Sequence, residues 1–450
     1  MILTQCAVCA ADLGLTLGKK CGRCSTRYCG AACQEQHWKE GGHDQLCKKI
    51  KRAGGAEQYN ANTKYAEALA VAVEKCADDT KGQTCYICME AVHSRTGEGL
   101  VRGCACGDRD GVASGMTGIA HVSCLAEEAK ILFAEAQENN WDDDRFMPRW
   151  DRWNTCDLCK QRYHGVVKCA LGWACWKTYL GRPEGDFLRM NAMTELANGL
   201  SAANHHADAL PVQEAELAAR RRNGDPEGNI LTVQSNMAIT YGEIGQGEKA
   251  LSMERDVYSG YLKLHGGQHS STLRAANNYA SSLAALQRFK EAKSVLRKTI
   301  PVTRRVLGES HELCLGMRTI YGQALYEDSA ATLDDLREAV TTLEEIEPTA
   351  QQVFGGPHPT TMGIRRSLHN ARGALRTRET PLRFKVGSRV ECCFGTDHWA
   401  SGTVIKLWYT EDSFAQGFYA PYQVELDDGN LIFAPEDSDR CVRRAPPQAS

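Results

Sequence analysis

The chain has 450 residues, of which 42% are hydrophobic and 24% charged, and its formal net charge is −3. These values are ordinary for a globular protein, and they argue against recognition of nucleic acid or an anionic membrane through bulk electrostatics. No apolar run approaches the ~20 residues of a transmembrane helix, and Met1–Cys6 lacks the basic and apolar segments of a secretory signal. We therefore expect a multidomain protein of the cytoplasm or nucleus without a membrane partner.

Cysteine is concentrated at the start of the chain, where 15 of the 21 cysteines lie before residue 160. Without a visible export signal, cysteines at such spacings indicate metal binding in a reducing compartment rather than disulfides. They form two consecutive patterns, each with four pairs of ligands. The first contains Cys6, Cys9, Cys21, Cys24, Cys29, Cys33, His43 and Cys47, and the second contains Cys85, Cys88, Cys104, Cys106, His121, Cys124, Cys156 and Cys159.

These spacings predict four zinc ions, two in each pattern. Two thiolates separated by two residues can bind one tetrahedral Zn²⁺ from a tight turn. Each ion takes four protein ligands, so no position is left for a catalytic water and the sites are structural. A module of ~45 residues has too small a core to fold unaided. A structural zinc supplies ~10–16 kcal/mol of binding free energy that is coupled to folding.

Residues 1–50 hold the first pattern. The run Cys29-x3-Cys33-Gln34-x2-His37-Trp38, followed by His43-x3-Cys47, resembles a MYND zinc finger over residues 6–47. In that family His37 matches a position that does not bind metal. Gly41 and Gly42 lengthen the loop before the last ligand pair. The resemblance implies cross-braced ions, one on Cys6, Cys9, Cys29 and Cys33, and one on Cys21, Cys24, His43 and Cys47.

The resemblance also implies a peptide site on this finger. MYND fingers bind short, often proline-rich peptides, and Gln34 and Trp38 match family positions near that groove. An exposed indole offers a flat apolar face to a proline ring. The alternative is that Trp38 packs beneath the finger.

Residues 51–80 are polar and alanine-rich and predict a linker helix. Residues 81–180 hold the second pattern and its flank, and the segments beginning at Cys85, Cys104, His121 and Cys156 resemble a RING-CH finger. The resemblance implies one ion on Cys85, Cys88, His121 and Cys124, and one on Cys104, Cys106, Cys156 and Cys159. It also implies a ubiquitin ligase, which would hold a charged ubiquitin-conjugating enzyme in a reactive geometry.

Two departures weaken that second implication. The stretch between Cys124 and Cys156 has 31 residues, which is long for the family, and Glu128 stands where the family often has a tryptophan. Ile87 matches the apolar residue that contacts the conjugating enzyme, and Trp150 or Trp153 is a candidate to replace the missing aromatic. The alternative is a purely structural interaction domain. Two further cysteines, Cys169 and Cys175, are expected to be buried as small apolar residues.

Residues 185–380 predict a stack of helix–turn–helix repeats. Gly266-Gly-Gln-His269 recurs as Gly308-Glu-Ser-His311 after 42 residues and as Gly355-Gly-Pro-His358 after a further 47. Units of this kind must stack on neighbours to bury their apolar faces. We expect about four units, closed by a helix over 360–378. The apolar faces at helical spacing are Ile230, Val233, Met237, Tyr241 and Ile244, and Ala250, Met253, Val257, Tyr261 and Leu264.

The 42-residue unit is similar to tetratricopeptide repeats of the kinesin-light-chain type over residues 190–375. Such arrays present a groove to extended peptides, and Asn236 and Asn278 match groove positions whose amides both donate to and accept from a ligand backbone. The alternative is that these asparagines brace neighbouring helices. Basic residues could favour an acidic peptide or form an ordinary solvated face. They are Arg255, Lys263, Arg297, Arg304 and Arg305.

Residues 384–443 alternate in the manner of short strands, with a turn signal at Asp427-Asp-Gly-Asn430. They resemble a small SH3-like or Tudor-like barrel, followed by a tail over 444–450. Four aromatic residues form either a cage for a methylated cation or the core of the barrel. They are Trp399, Trp408, Tyr409 and Tyr422.

The predicted fold is multidomain and mainly α, with two small zinc-stabilised fingers, an α-solenoid and a small C-terminal β-barrel. These are recognition folds, so the leading hypothesis is an adaptor that recruits proteins through peptide motifs. A RING-CH ubiquitin ligase with a ubiquitin-conjugating enzyme as partner is the alternative. A SET-type methyltransferase, which often accompanies MYND fingers, is rejected because no SET-like cofactor or catalytic motif is visible.

Overall fold

The computed structural model describes residues 5–11, 13, 17–104, 106, 118–139, 148–379, 382–394, 398–409, 411, 414 and 419–446. Parts of the long segment after Cys124 and of the predicted tail therefore lie outside the described residues. Two compact units are present, Met1–Met317 with Pro348–Met362, and Arg318–Glu347 with Gly363–Ser450. The prediction of a mainly helical multidomain chain is confirmed.

The helices are named here in chain order. They are α1 (Ala31–Lys39), α2 (His43–Arg52), α3 (Ala56–Lys75), α4 (Ala77–Thr80), α5 (Val122–Glu138), α6 (Gly165–Tyr179), α7 (Phe187–Ala202), α8 (His206–Asn223), α9 (Glu227–Glu243), α10 (Gly247–His265), α11 (Ser270–Ala285), α12 (Phe289–Leu307), α13 (Glu312–Tyr326), α14 (Leu333–Phe354) and α15 (Pro359–Glu379).

The strands are short at the front of the chain and longer at its end. They are β1 (Lys19–Lys20), β2 (Arg27–Tyr28), β3 (Val101–Arg102), β4 (Ile119–Ala120), β5 (Arg389–Phe394), β6 (His398–Tyr409), β7 (Ala420–Leu426), β8 (Leu431–Ala434) and β9 (Val442–Arg444).

The first finger consists of the β1–β2 hairpin followed by α1 and α2. Gly42 adopts φ +68°, a left-handed conformation that glycine reaches without steric cost, and α2 begins directly after it at His43. The extra glycines in this loop therefore turn the chain so that α2 begins at a predicted ligand. Its buried cluster has eight residues, of which Cys6, Cys21, Cys24 and Cys47 are predicted ligands. So small a core agrees with folding that depends on metal.

One hydrophobic core joins the second cysteine pattern to the first helices of the repeat region. It extends from Ala61 on α3 to Ala215 on α8 and includes four of the buried ligand cysteines on the way. The predicted linker helix α3 lies against α6, where Lys177 Nζ is 3.6 Å from the centre of the Tyr65 ring. Cys169 and Cys175 are buried in this core, as expected.

Helices α6 and α7 approach each other closely at two glycines. A Cβ on Gly172 would lie 2.8 Å from the carbonyl oxygen of Glu195, and a Cβ on Gly199 would lie 2.8 Å from that of Lys168. Both neighbours are backbone atoms, which cannot rotate away. Glycine is therefore required for this helix spacing.

Helices α7 to α12 form three successive antiparallel hairpins, as the repeat predicted. Val233, Met237 and Tyr241 of α9 are buried together with Ala250 of α10. Leu264, at the end of the predicted α10 stripe, is instead 41% exposed, because it lies in the last turn of the helix. Helices α13, α14 and α15 continue the helical region, and α15 ends at Glu379, close to the predicted limit.

The C-terminal strands form one antiparallel sheet in the order β8-β7-β6-β5-β9. The prediction of a small C-terminal β unit is confirmed, and its likeness to an SH3 or Tudor barrel stays a prediction. Tyr422 is fully buried in the sheet core, and the Arg443 guanidinium lies 3.8 Å from the centre of the Trp399 ring. The described aromatic residues of this sheet therefore follow the core alternative and do not form an open cage.

Across the described residues, every helix is too short or too polar to cross a lipid bilayer.

Candidate zinc centres and peptide groove

The first finger brings its eight predicted ligands together in two sets. One set consists of Cys6, Cys9, Cys29 and Cys33, and the other of Cys21, Cys24, His43 and Cys47. In the first, the Cys29 Sγ lies 3.5 Å from Cys9 Sγ and 3.4 Å from Cys33 Sγ. In the second, the Cys24 Sγ lies 3.3 Å from His43 Nε2, and Cys21 Sγ lies 3.9 Å from Cys47 Sγ.

The second pattern forms two more sets in the same cross-braced manner. His121 Nδ1 lies 3.4 Å from Cys88 Sγ and 3.7 Å from Cys124 Sγ. Cys106 Sγ lies 3.6 Å from Cys156 Sγ. The members of these sets are Cys85, Cys88, His121 and Cys124, and Cys104, Cys106, Cys156 and Cys159.

The geometry of all four sets fits tetrahedral zinc. With Zn–S bonds of about 2.3 Å, the sulfurs at the corners of a tetrahedron are about 3.8 Å apart. The ligand atoms of each set lie within 4.8 Å of one another, and all 21 cysteines are free of disulfides. The chain therefore has four Cys/His centres for structural zinc, and each offers four protein ligands.

The fourth centre also shows a cradle in its backbone. A Cβ on Gly118 would lie 2.5 Å from Cys104 Sγ and 3.1 Å from Cys106 Sγ. Because side-chain carbon atoms do not approach sulfur this closely, only glycine leaves room for both thiolates beside this strand. Sequence reasoning did not single out Gly118, because its role depends on a contact that only the folded chain makes.

The two histidine ligands face their centres through different ring nitrogens. His43 presents Nε2 to Cys24, and its Nδ1 is buried without a hydrogen-bond partner among the described residues. His121 presents Nδ1 to Cys88 and Cys124. His37 is outside both centres of the first finger, as predicted, and its Nδ1 lies 3.0 Å from the Tyr28 hydroxyl.

The predicted peptide-binding residues of the first finger share one helix. Gln34 and Trp38 are four residues apart on α1, so their side chains lie on the same face. The indole of Trp38 is 43% exposed, and its ring lies edge-on to that of His43 with centroids 5.7 Å apart. Trp38 is therefore a surface residue supported by a zinc ligand, which excludes the alternative that it packs beneath the finger.

An exposed apolar patch surrounds the first zinc loop of the second pattern. Ile87 is 37% exposed, and Met89 and Val92 beside it are 71% and 59% exposed. Glu128, which stands at the family tryptophan position, is half-buried, and burial raises its pKa. This position therefore presents no aromatic surface.

Neither of the proposed replacement tryptophans reaches this patch. Trp150 and Trp153 are 3% and 1% exposed, respectively. Trp150 packs edge-on against Phe133 and lies beside Tyr179. The suggestion that they replace the missing aromatic is wrong, because the shared core takes both indoles out of solvent.

A groove of about 660 Å³ lies in the first unit along the helical hairpins. Asn236 and Asn278, the predicted groove residues, both line it. The Asn278 amide donates to Ser235 Oγ at 3.2 Å, so it also braces α9. Asn236 makes no side-chain hydrogen bond to another described residue. The groove interpretation and the bracing alternative are therefore both realised at Asn278.

The basic residues selected from the sequence lie elsewhere. The groove lining includes none of Arg255, Lys263, Arg297, Arg304 and Arg305. Arg255 is 63% exposed beside Asp256, and Arg304 pairs with Glu309. They follow the solvated-face alternative. The cations that do line the groove are Arg162, Lys168 and Arg274. Sequence reasoning missed them, since two of the three precede the repeats.

Two family models match parts of the chain. Residues 6–47 match the MYND finger, and residues 272–312 match a tetratricopeptide repeat. The first covers every ligand of the first two zinc centres, and the second covers α11 and α12. No curated protein matches the chain.

Several solved structures are similar to the helical part. A kinesin light chain with nearly identical TPR-like repeats from Podosopora anserina is 17% identical and covers 52% of this chain and 97% of its own, with a TM-score of 0.34. BtubC (BKLC) from P. vanneervenii is 11% identical, with 59% and 94% covered and a TM-score of 0.31. The apo form of RapI is 12% identical, with 57% and 84% covered and a TM-score of 0.33. Likeness at this level assigns no ligand to this chain.

Proposed function

We propose that this chain is a zinc-stabilised adaptor that recruits partner proteins by binding extended peptide segments in its helical groove and on its MYND finger. The groove carries the proposal. Its walls present the amides of Asn236, Asn277 and Asn278, with the hydroxyls of Thr232 and Ser235 among them. Amides that donate and accept can pair with the backbone of an extended segment, whatever its side chains.

The finger offers a second and chemically different surface. Trp38 is exposed and held by His43, and Gln34 lies one helical turn before it. An indole face binds a proline ring with little loss of side-chain entropy, because the indole is already ordered. The two surfaces would let one chain hold two partners. We place this activity in the cytoplasm or nucleus, where thiolate ligands stay reduced.

A peptide-display selection on the full zinc-loaded chain tests the adaptor function. We expect enriched peptides whose binding weakens about tenfold or more in Asn236→Ala/Asn278→Ala, or in Trp38→Ala, according to the surface they use. Lys263→Ala, outside the groove lining, serves as the matched control. Selection of no peptide, or of peptides that bind all variants equally, would refute the proposal.

A ubiquitin ligase is the second candidate, and the exposed patch of Ile87, Met89 and Val92 favours it. An apolar patch beside a zinc loop can dock a conjugating enzyme, and no catalytic cysteine of the chain itself is required. The half-buried Glu128 and the buried Trp150 and Trp153 weigh against it.

Autoubiquitination with a panel of conjugating enzymes separates the two candidates. A ligase would lose its activity in Ile87→Ala and keep it in Val71→Ala, an equally exposed apolar residue on α3. Silence across the panel would leave the adaptor function alone.

A further inference from the structure

The groove that carries the proposed function is not built by the helical repeats alone. Arg162 and Lys168 line it together with residues of α7 to α11. Arg162 follows the zinc ligand Cys159 by three residues, and Lys168 lies in the first turns of α6. The region of the second zinc pattern therefore supplies one end of the groove lining.

The zinc loop holds Arg162 in place through its own backbone. Thr155 and Arg162 form an antiparallel bridge across the loop, and the Cys156 N–H donates to the Gln161 carbonyl at 2.8 Å. The Gln161 side chain donates to the carbonyl of Val353 at 2.8 Å, which attaches the loop to the end of α14. The loop between Cys156 and Cys159 is thus a structural link between the fourth zinc centre and the groove.

Positive charge dominates the lining. Arg162, Lys168 and Arg274 line the groove, and Glu312 is its one acid among the described residues. None of the three cations forms an ion pair with a described residue. Each is close enough to affect the others, since Arg162 contributes, after burial, to a lowered pKa at both Lys168 and Arg274. Glu312 and the buried Glu195 oppose this effect at Lys168. Unpaired cations in a partly desolvated groove favour an anionic ligand.

The lining also holds polar groups that no described residue satisfies. Gln213 is 1% exposed, yet its Oε1 has no hydrogen-bond partner. Asn277 Oδ1 and Ser201 Oγ are buried in the same way. Buried polar atoms are nearly always satisfied, so three such atoms around one groove indicate a ligand that donates hydrogen bonds. A peptide backbone supplies such donors.

We infer that this groove is a composite site for an extended acidic peptide, in which Arg162, Lys168 and Arg274 bind Asp or Glu side chains while Gln213 and Asn277 accept from the peptide backbone. This inference rests on the proposed function and specifies its ligand. It also makes acidic-peptide binding depend on the fourth zinc centre, which positions Arg162. A loss of that zinc would weaken capture of acidic partners without any change in the helical repeats.

A pool of random hexapeptides, acetylated and amidated so that only side chains carry charge, provides the probe. The full zinc-loaded chain is incubated with the pool, and retained peptides are identified by mass spectrometry. We expect Asp and Glu to be enriched among them, and affinity for an enriched peptide to fall about tenfold in Arg274→Gln and in Arg162→Gln. Arg255→Gln, an exposed cation outside the groove, should bind as the wild type does. The enrichment should weaken with rising salt.

A zinc arm tests the composite character of the site. Cys159→Ser should lower the bound zinc from four ions to three and reduce acidic-peptide affinity about as much as Arg162→Gln does. Should that variant not fold, Arg162→Gln alone decides the point. Retained peptides without acidic enrichment, or an enrichment that survives both arginine substitutions, would overturn the inference while leaving the adaptor function standing. Retention of no peptide at all would refute the adaptor function itself.

Discussion

Single residues decide whether the zinc centres can form, and Gly118 is the sharpest case. Its missing Cβ leaves the space that the Cys104 and Cys106 thiolates occupy. We predict that Gly118→Ala lowers the zinc content from four ions to three although every ligand is intact, as measured by elemental analysis of the purified chain. Gly22→Ala, in the first finger, is the matched control, because a Cβ there has no atom within 4 Å. Four ions in the Gly118 variant would contradict the role assigned to this cradle.

A buried carboxyl beneath the groove makes stability depend on pH. Glu254 is 1% exposed, and burial raises its pKa to about 8 although Ser235 Oγ donates to it at 3.4 Å. In the unfolded chain a glutamate titrates near 4.3. The folded state therefore holds a proton that the unfolded state releases, and stability falls by up to about 1.4 kcal/mol per pH unit between these values.

We predict that Glu254→Gln removes this fall. Its melting temperature should match that of the wild type near pH 4.5 and exceed it increasingly up to pH 8, as followed by thermal unfolding across that range. Glu248→Gln, an exposed position on the same helix, should leave the pH dependence unchanged. A constant difference between Glu254→Gln and wild type at all pH values would show that Glu254 is ionised in the folded chain.

At the scale of elements, the contact between α6 and α7 connects the second zinc pattern with the helical repeats. Gly199 allows the two backbones to meet, because a Cβ would lie 2.8 Å from the Lys168 carbonyl oxygen. We predict that Gly199→Ala destabilises the first unit by about 1–3 kcal/mol through overpacking, measured by chemical denaturation. Gly373→Ala in α15 meets no atom within 4 Å and should stabilise its helix by about 0.5–1 kcal/mol. Equal effects at the two positions would rule out a close contact at Gly199.

At the scale of the whole chain, the shared core predicts how far the loss of metal spreads. Because one core extends from Ala61 to Ala215 and contains ligand cysteines, removal of zinc should unfold more than the two cysteine patterns. We predict that chelation exposes the amides of α1 to α7 to hydrogen exchange and leaves those of α11 and α12 protected, as measured by mass spectrometry of the full chain. Unchanged protection of α6 after complete metal removal would show that this core is stable without zinc.

The front of the chain was readable from its sequence because its chemistry is local. Pairs such as Cys85 and Cys88 lie within one turn, so their spacing alone predicts a shared ion. Cross-bracing followed from the family resemblance, and the structure brings the same four sets together. The helical hairpins were predicted for a similar reason, since an apolar residue every three or four positions determines which face is buried.

Contacts between distant segments could be decided only by the tertiary structure. It buried Trp150 and Trp153, exposed Trp38, and brought Arg162 to a groove whose other cation, Arg274, is 112 residues away in the sequence. Nothing in the spacing of these residues announces such meetings, because they depend on how whole helices pack. Ligand identity and helical period are thus properties of short segments. The composite groove is a property of the folded core, which forms when distant apolar faces leave water together.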